Sequence, residues 1–314
     1  MQSINSEHYH EFMGCDHHAN PTRCADAMHF TQFRQREICL ERQPCLQLVA
    51  FRKCASLKDD PIYSRITWRR IRSIFRSQPP VTILTFANSK GGVGKSTLCA
   101  LVASELAPAS ANIHLIDADF RQYSCFQWVN RCRQAGTLPE SISASKAATQ
   151  QELVEAISKT GDGITLIDVQ GSMNELLTAA IVASDLTIVP AKGNVMEMFE
   201  TIKLFEWARN LKRAPLRLVL NRVEGIDLNT KAFQDAIELI RAHRLPTLPT
   251  FIRSRKIYEQ FYLNAGTLEK ISEDPSKAEQ VKKGRANIVQ LLNDITEAIE
   301  AGELPADQFQ RLGR

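Results

Sequence analysis

The chain has 314 residues, of which 44% are apolar and 24% charged, with a formal net charge of +4. That length supports a sizeable buried core in one large domain or two small ones. With 14 Gly, 13 Pro and 8 Cys, the composition excludes collagen-like, disordered and small disulfide-scaffold classes. No apolar run reaches the roughly 18 residues of a spanning helix, and the polar start lacks the apolar stretch of an export signal, so a cytoplasmic protein is expected.

Residues 1–79 carry the whole charge excess, 12 Lys+Arg against 8 Asp+Glu, and the remainder balances at 27 to 27. This segment also holds Cys15, Cys24, Cys39, Cys45 and Cys54 and five of the seven histidines. Those cysteines lack the short paired spacing of a zinc module. They read instead as an N-terminal extension, basic and open to being poorly structured. Its last part, Pro61 to Arg76, is a basic amphipathic pattern suited to packing on the next domain, to an anionic surface or to nucleic acid. Ser77-Gln78-Pro79-Pro80 reads as the boundary, giving an extension over 1–79 and a domain over 80–314.

Beyond the boundary, short apolar runs alternate with helical stretches, the signature of βαβ units and a mostly parallel sheet with helices on both faces. Strands are expected at Val81–Ala87, Asn112–Ile116, Gly163–Ile167, Leu186–Pro190, Leu216–Leu220 and, more weakly, Thr247–Phe251. Helices are expected at Ser96–Leu106, Gln150–Ser158, Met196–Leu211 and Lys231–His243, and Ala286–Ala301 presents one apolar face.

The first strand runs into Asn88-Ser89-Lys90-Gly91-Gly92-Val93-Gly94-Lys95-Ser96-Thr97, a phosphate-binding loop. Its glycines let successive backbone N–H groups turn inward at the positive end of a helix. Lys95 would neutralise phosphate charge, and the Ser96 hydroxyl would take one Mg²⁺ position. Gly91, Gly92, Val93, Gly94 and Thr97 complete the expected ATP cradle.

Lys90 to Thr97 resembles the deviant Walker A loop of the ParA/MinD family of P-loop ATPases, marked by the early lysine. The resemblance covers about Val81 to the C-terminus. It implies ATP and Mg²⁺ as ligands, an ATP-dependent homodimer, and a Lys90 that acts on the partner's phosphates. Leu115-Ile116-Asp117-Ala118-Asp119 resembles the second acidic motif, with Asp119 placing the attacking water and Asp117 supporting the metal. The family's Asp-Pro-Gln is here Asp119-Phe120-Arg121. Ile164 to Asp168 is similar to the Walker B strand, so Asp168 would hold Mg²⁺ through water. Leu220-Asn221-Arg222-Val223 resembles the adenine-side motif, with Asn221 reading the base.

Among the branches, the late helix has an acidic polar side, unlike a membrane-targeting helix, so stable membrane insertion is not expected. Cys99, Cys125 and Cys132 read as buried thiols rather than cluster ligands. The resemblance is strongest to the plasmid-partition group, VirC-type relatives included. It implies a switch that binds DNA without sequence preference and moves plasmid or transferred DNA through a ParB-like or other adaptor. The alternative is a metabolic enzyme of the dethiobiotin-synthetase type on the same loop. Two basic clusters, Arg253-Arg255-Lys256 and Lys282-Lys283-Arg285, are the candidate DNA contacts of the main domain.

Overall fold

The computed structural model describes residues 81–108, 112–171, 173–211 and 215–301. The readings placed on residues 1–79, a metal module and a basic amphipathic stretch among them, lie outside the described residues.

In chain order the elements are β1 (Val81–Phe86), α1 (Lys95–Leu106), β2 (Ile113–Ala118), α2 (Ser124–Gln134), β3 (Ile142–Lys146), α3 (Gln150–Ser158), β4 (Gly163–Val169), α4 (Glu175–Ala183), β5 (Leu186–Ala191), α5 (Val195–Ala208), β6 (Leu216–Leu220), α6 (Lys231–Ala242), α7 (Lys256–Gln260), α8 (Leu268–Ile271) and α9 (Ala278–Ala301). The six strands form one parallel sheet in the order β3-β2-β4-β1-β5-β6. Such a sheet is covered on both faces, which is why its strands read as unbroken apolar runs. In β1, Leu84 and Phe86 enter the core shared with α1, α2 and α9, while Ile83 points into the core shared with α4, α5 and α6.

The sequence reading set no bounds for β3, α2, α4 or the short α7 and α8. Strand β3 is Ile-Ser-Ala-Ser-Lys, an edge strand of small polar residues whose serines bond the His114 ring at 2.8 Å, and it carries no apolar run to betray it. Thr247–Phe251 is not a strand. It lies beside β6 through isolated bridges, with Leu248 N–H donating to Leu218 O and Ile252 N–H to Leu220 O, each at 2.8 Å. Helix α9 begins at Ala278 and buries Ile288, Leu291, Leu292 and Ile295, the apolar face that the sequence presents.

Local chemistry at the helix starts sets the site. Helices α3, α4, α5 and α6 are capped by the side chains of Thr149, Asn174, Asn194 and Thr230. Helix α1 has a left-handed Gly94 at that position and no side-chain cap. Its first N–H groups are therefore left for an external anion. β1 lies between β4 and β5, and β2 beyond β4, so the strand ends carrying Asn88, Asp117, Asp168 and Asn221 converge where ligands bind open α/β sheets.

Candidate nucleotide site

The phosphate loop is pinned from below and from the β6 side. Asn88 is buried, donates from Nδ2 to Pro190 O at 2.8 Å and accepts the Lys90 N–H at 3.0 Å. Asn221 Nδ2 donates to Val93 O at 2.7 Å, and its Oδ1 accepts the Arg222 N–H at 2.9 Å. The Arg222 guanidinium donates to Gly92 O at 3.1 Å. These bonds draw two loop carbonyls toward β6. Gly92 and Gly94 have φ of 76° and 91°, and a Cβ at Gly94 would sit 2.5 Å from Asn221 Nδ2. Glycine at 94 is required both for the turn and for the clamp.

Lys95 is buried, with its ammonium donating to Lys90 O at 3.3 Å. Burial pulls its pKa down, while Asp168 and Asp119 hold the charged form in place. Asp117 and Asp168 are register partners on β2 and β4, and both are fully buried. Asp117 is anchored by the N–H groups of Asp119 at 3.1 Å and Phe126 at 3.0 Å. Its pKa is raised by burial, against those backbone bonds. Asp168 is pushed up to about 7, by burial first and by the neighbouring Asp117 second, while the Ser96 hydroxyl works in the other direction. Among the described residues Asp168 Oδ1 has no hydrogen-bond partner. A buried acceptor left open beside a second carboxylate and a hydroxyl is an all-oxygen set that fits a hard divalent cation.

The thiol of Cys125 donates to Asp168 Oδ2 at 3.4 Å, and it forms with Asp117 and Asp168 a group whose ligand atoms lie within 4.8 Å of one another. All three described cysteines, Cys99, Cys125 and Cys132, are buried and unpaired. Cys125 was legible only as a buried thiol, because its closeness to the acids depends on α2.

Asp119 lies past the end of β2, half-buried, on a turn in which its carbonyl accepts the N–H of Gln122 at 3.0 Å and of Tyr123 at 2.8 Å. Opposite it, Gly171 packs so closely on the loop that a Cβ would meet Lys90 C at 3.1 Å. Lys90 is half-exposed, its ammonium 3.9 Å from the Glu197 carboxylate. A cavity of about 550 Å³ is lined by Gly91, Gly92, Gly94, Lys95, Ser96, Thr97, Asp119 and Gly171. A second of about 350 Å³ shares Gly94, Thr97 and Arg222 with it and is closed by Asn221, Ile252, Ser254, Arg255 and Tyr258. Together they have the shape of a phosphate trough joined to a nucleoside pocket.

Of the expected residues, Gly91, Gly92, Gly94, Lys95, Ser96, Thr97 and Asp119 line one trough, Asp117 and Asp168 lie fully buried at the strand ends, Val93 is buried, and Lys90 is half-exposed next to Glu197. Asn221 lines the smaller cavity, but its amide is already committed to the loop. Sequence reasoning missed Arg222 and Gln170, although each adjoins a residue it singled out. The two basic clusters are not uniform surface runs: Arg285 is buried with its Nε bonded to Glu105 at 3.0 and 3.2 Å, while Arg253 and Arg255 line the smaller cavity, Arg253 remaining exposed.

The model of the CobQ/CobB/MinD/ParA nucleotide binding domain matches residues 84–264, more than half of the chain. The chain belongs to that family. It is 30% identical over 117 residues to Protein ParA of Rhizobium radiobacter, 37% of this chain and 50% of that protein. It is 27% identical over 180 residues to the maintenance of carboxysome distribution protein A of Gloeobacter kilaueensis, 57% of this chain and 79% of that one. Protein virC1 of Rhizobium rhizogenes matches at 26% over 133 residues, 41% and 57% of the two chains. The chain therefore spans about half the length of that ParA. Among solved structures, MinD complexed with Mg-ADP from Pyrococcus horikoshii superposes with a TM-score of 0.52 at 15% identity, covering 68% of this chain and 96% of that one. The MinC:MinD cell division complex of Aquifex aeolicus gives 0.53 at 13%, covering 71% and 97%. These two likenesses concern the fold: a parallel P-loop sheet with helices on both faces.

Proposed function

We propose that the protein is an ATP-hydrolysing dimerisation switch of the ParA type that binds DNA and partitions or positions plasmid or transferred DNA. The observation that carries this is the uncapped start of α1 beneath a trough lined by Lys95, Ser96 and Asp119, with the buried Asp168 carboxylate beside Ser96 and Lys90 half-exposed next to Glu197. The main-domain boundary near residue 80 belongs to the same reading.

In it, the N–H groups at the start of α1 and the Lys95 ammonium bind the phosphates. Ser96, Asp168 and Asp117 would hold Mg²⁺, the open Oδ1 of Asp168 being the acceptor that lacks a partner. The bound ion supplies charge neutralisation along the phosphate chain. Asp119 orients the attacking water. Lys90, free to swing from the rim, places positive charge on the partner's transferring phosphoryl group. Asn221 contributes to the nucleoside pocket by holding the loop that forms its floor.

A non-specific DNA surface, a ParB-like or other adaptor and a cytoplasmic location complete the reading. Support comes from relatives that are partition or distribution proteins. No helix among the described residues is long and apolar enough to cross a membrane. The decisive experiment is DNA binding with and without ATP and Mg²⁺ across a salt series, alongside phosphate release. ATP-dependent, salt-sensitive binding is expected. Hydrolysis without any DNA binding would favour the metabolic alternative.

A further inference from the structure

Four basic side chains line the larger cavity: Lys95, Arg121, Arg131 and Arg222. Three are engaged. Lys95 bonds the Lys90 carbonyl, Arg222 bonds the Gly92 carbonyl, and the Arg131 guanidinium lies 5.9 Å from the centre of the Tyr262 ring. The guanidinium of Arg121 makes no hydrogen bond or ion pair among the described residues, while its backbone N–H donates to Asp119 Oδ1 at 3.3 Å.

The turn that carries Arg121 is braced. Asp119 N–H donates to the buried Asp117 at 3.1 Å, and Gln127 Nε2 donates to Gln122 O at 2.8 Å. Arg121 lines the larger cavity and not the smaller one, so it stands in the phosphate trough rather than at the nucleoside. Asp119, two residues before it, lines the same trough. A free guanidinium fork beside a water-directing carboxylate is placed to meet a terminal phosphoryl group.

We infer that Arg121 contacts the terminal phosphate of the ATP bound to its own subunit, a second catalytic cation in addition to Lys90. The inference rests on the ATPase reading above and adds a residue that the family resemblance did not supply. In the reaction, the water oxygen forms the new bond to the γ-phosphorus, and the bond from that phosphorus to the β–γ bridging oxygen breaks with its electron pair leaving on ADP. The water's protons pass to inorganic phosphate and solvent. Arg121 stabilises the charge that builds on the equatorial oxygens during that transfer.

The test compares the full-length protein with Arg121→Ala and Arg121→Lys, measuring ATP and ADP affinity by calorimetry with Mg²⁺ and hydrolysis in single turnover. Arg121→Ala is expected to weaken ATP at least about tenfold while leaving ADP within about twofold, and to slow single turnover by about 10² or more, short of the 10³–10⁵ of a full arginine finger. Arg121→Lys should recover part of both losses, and the unfolding midpoint should not move. Unchanged ATP preference and turnover would overturn the inference while leaving the ATPase reading intact. Equal weakening of ATP and ADP would also overturn it, because the contact would then not be to the terminal phosphate. So would a loss of ATP affinity seen only at protein concentrations that support dimers, which would mark a trans contact. If the parental protein binds no ATP, the site reading fails and this inference falls with it.

Discussion

The Lys90 ammonium and the Glu197 carboxylate face each other at 3.9 Å, and the same Glu197 oxygen lies 3.9 Å from Lys192 Nζ. Glu197 is buried and fixed, since its Oε2 accepts the Lys192 N–H at 3.0 Å and its own N–H is bonded to Asn194. Lys90 is the loose partner, with 44% of its side chain exposed. Such half-exposed pairs contribute about 1 kcal/mol or less, so Lys90 can leave at little cost. We expect Lys90→Ala to lower ATP turnover and ATP-dependent dimerisation while keeping nucleotide affinity within about threefold, since it removes charge felt in the transition state. Lys95→Ala should abolish binding. Equal loss of affinity in both variants, measured by calorimetry, would refute the trans role.

Asp119→Ala should trap an ATP-bound dimer. The carboxylate lines the trough but the α1 start, Lys95 and Lys90 remain, so ATP is held and not consumed. Size-exclusion chromatography with ATP and Mg²⁺ should show a lasting dimer and phosphate release should fall at least about a hundredfold, the scale of a lost positioning group. A monomer under those conditions, or parental turnover, would remove Asp119 from the mechanism.

The buried Asp168 makes the nucleotide-free protein pH-sensitive. Its folded pKa of about 7 lies above the ordinary value of 3.8, so between those pH values the folded state binds the extra proton. Stability therefore falls through this group as pH rises from about 4 to about 7, and is level above. A shift of that size is worth up to about 4 kcal/mol. Asp168→Asn should remove this slope, so denaturant midpoints of variant and parent, without Mg²⁺ or nucleotide, should differ more at pH 8 than at pH 5. Parallel curves would show that solvent or relaxation already compensates the carboxylate.

Much of this was legible in the sequence, and the exceptions have a common cause. The loop, the acids at the ends of β2 and β4, and five of six strands announce themselves because buried parallel strands are continuous apolar runs and phosphate binding needs glycine at particular positions. What was not legible depends on through-space partners. Cys125 joins Asp168 only because α2 folds over β2 and β4, Glu197 meets Lys90 across more than a hundred residues of chain, and Asn221 and Arg222 turn out to be the loop's clamp. Strand β3 has no apolar run, and its pairing with β2 supplies what its own residues lack.

The candidates for the proposed DNA contacts of the main domain narrow once burial is known. Arg285 is committed to Glu105 inside the protein, and removing it would take from that buried carboxylate its guanidinium partner, at a cost of about 3–5 kcal/mol. Arg285→Ala should therefore lower the unfolding midpoint rather than act on DNA. Arg253 and Arg255 line the nucleoside pocket, so their loss would confuse nucleotide and DNA effects. That leaves Lys256, Lys282 and Lys283, all exposed. They belong to two helices joined by the Tyr258 hydroxyl, which donates to Gly284 O at 2.7 Å and ties α7 to α9. Lys283 is tied only to Glu279 at 3.2 Å, an exposed i,i+4 pair that a phosphate can displace. Replacing all three by alanine should weaken ATP-dependent binding to unrelated duplexes alike and flatten the log–log salt slope by up to about 0.9 for each phosphate that is no longer neutralised. ATP turnover without DNA should stay at the parental rate, since none of the three lines either cavity. Parental affinity and slope in that triple variant would move the DNA-binding surface to the arginines between Arg65 and Arg76.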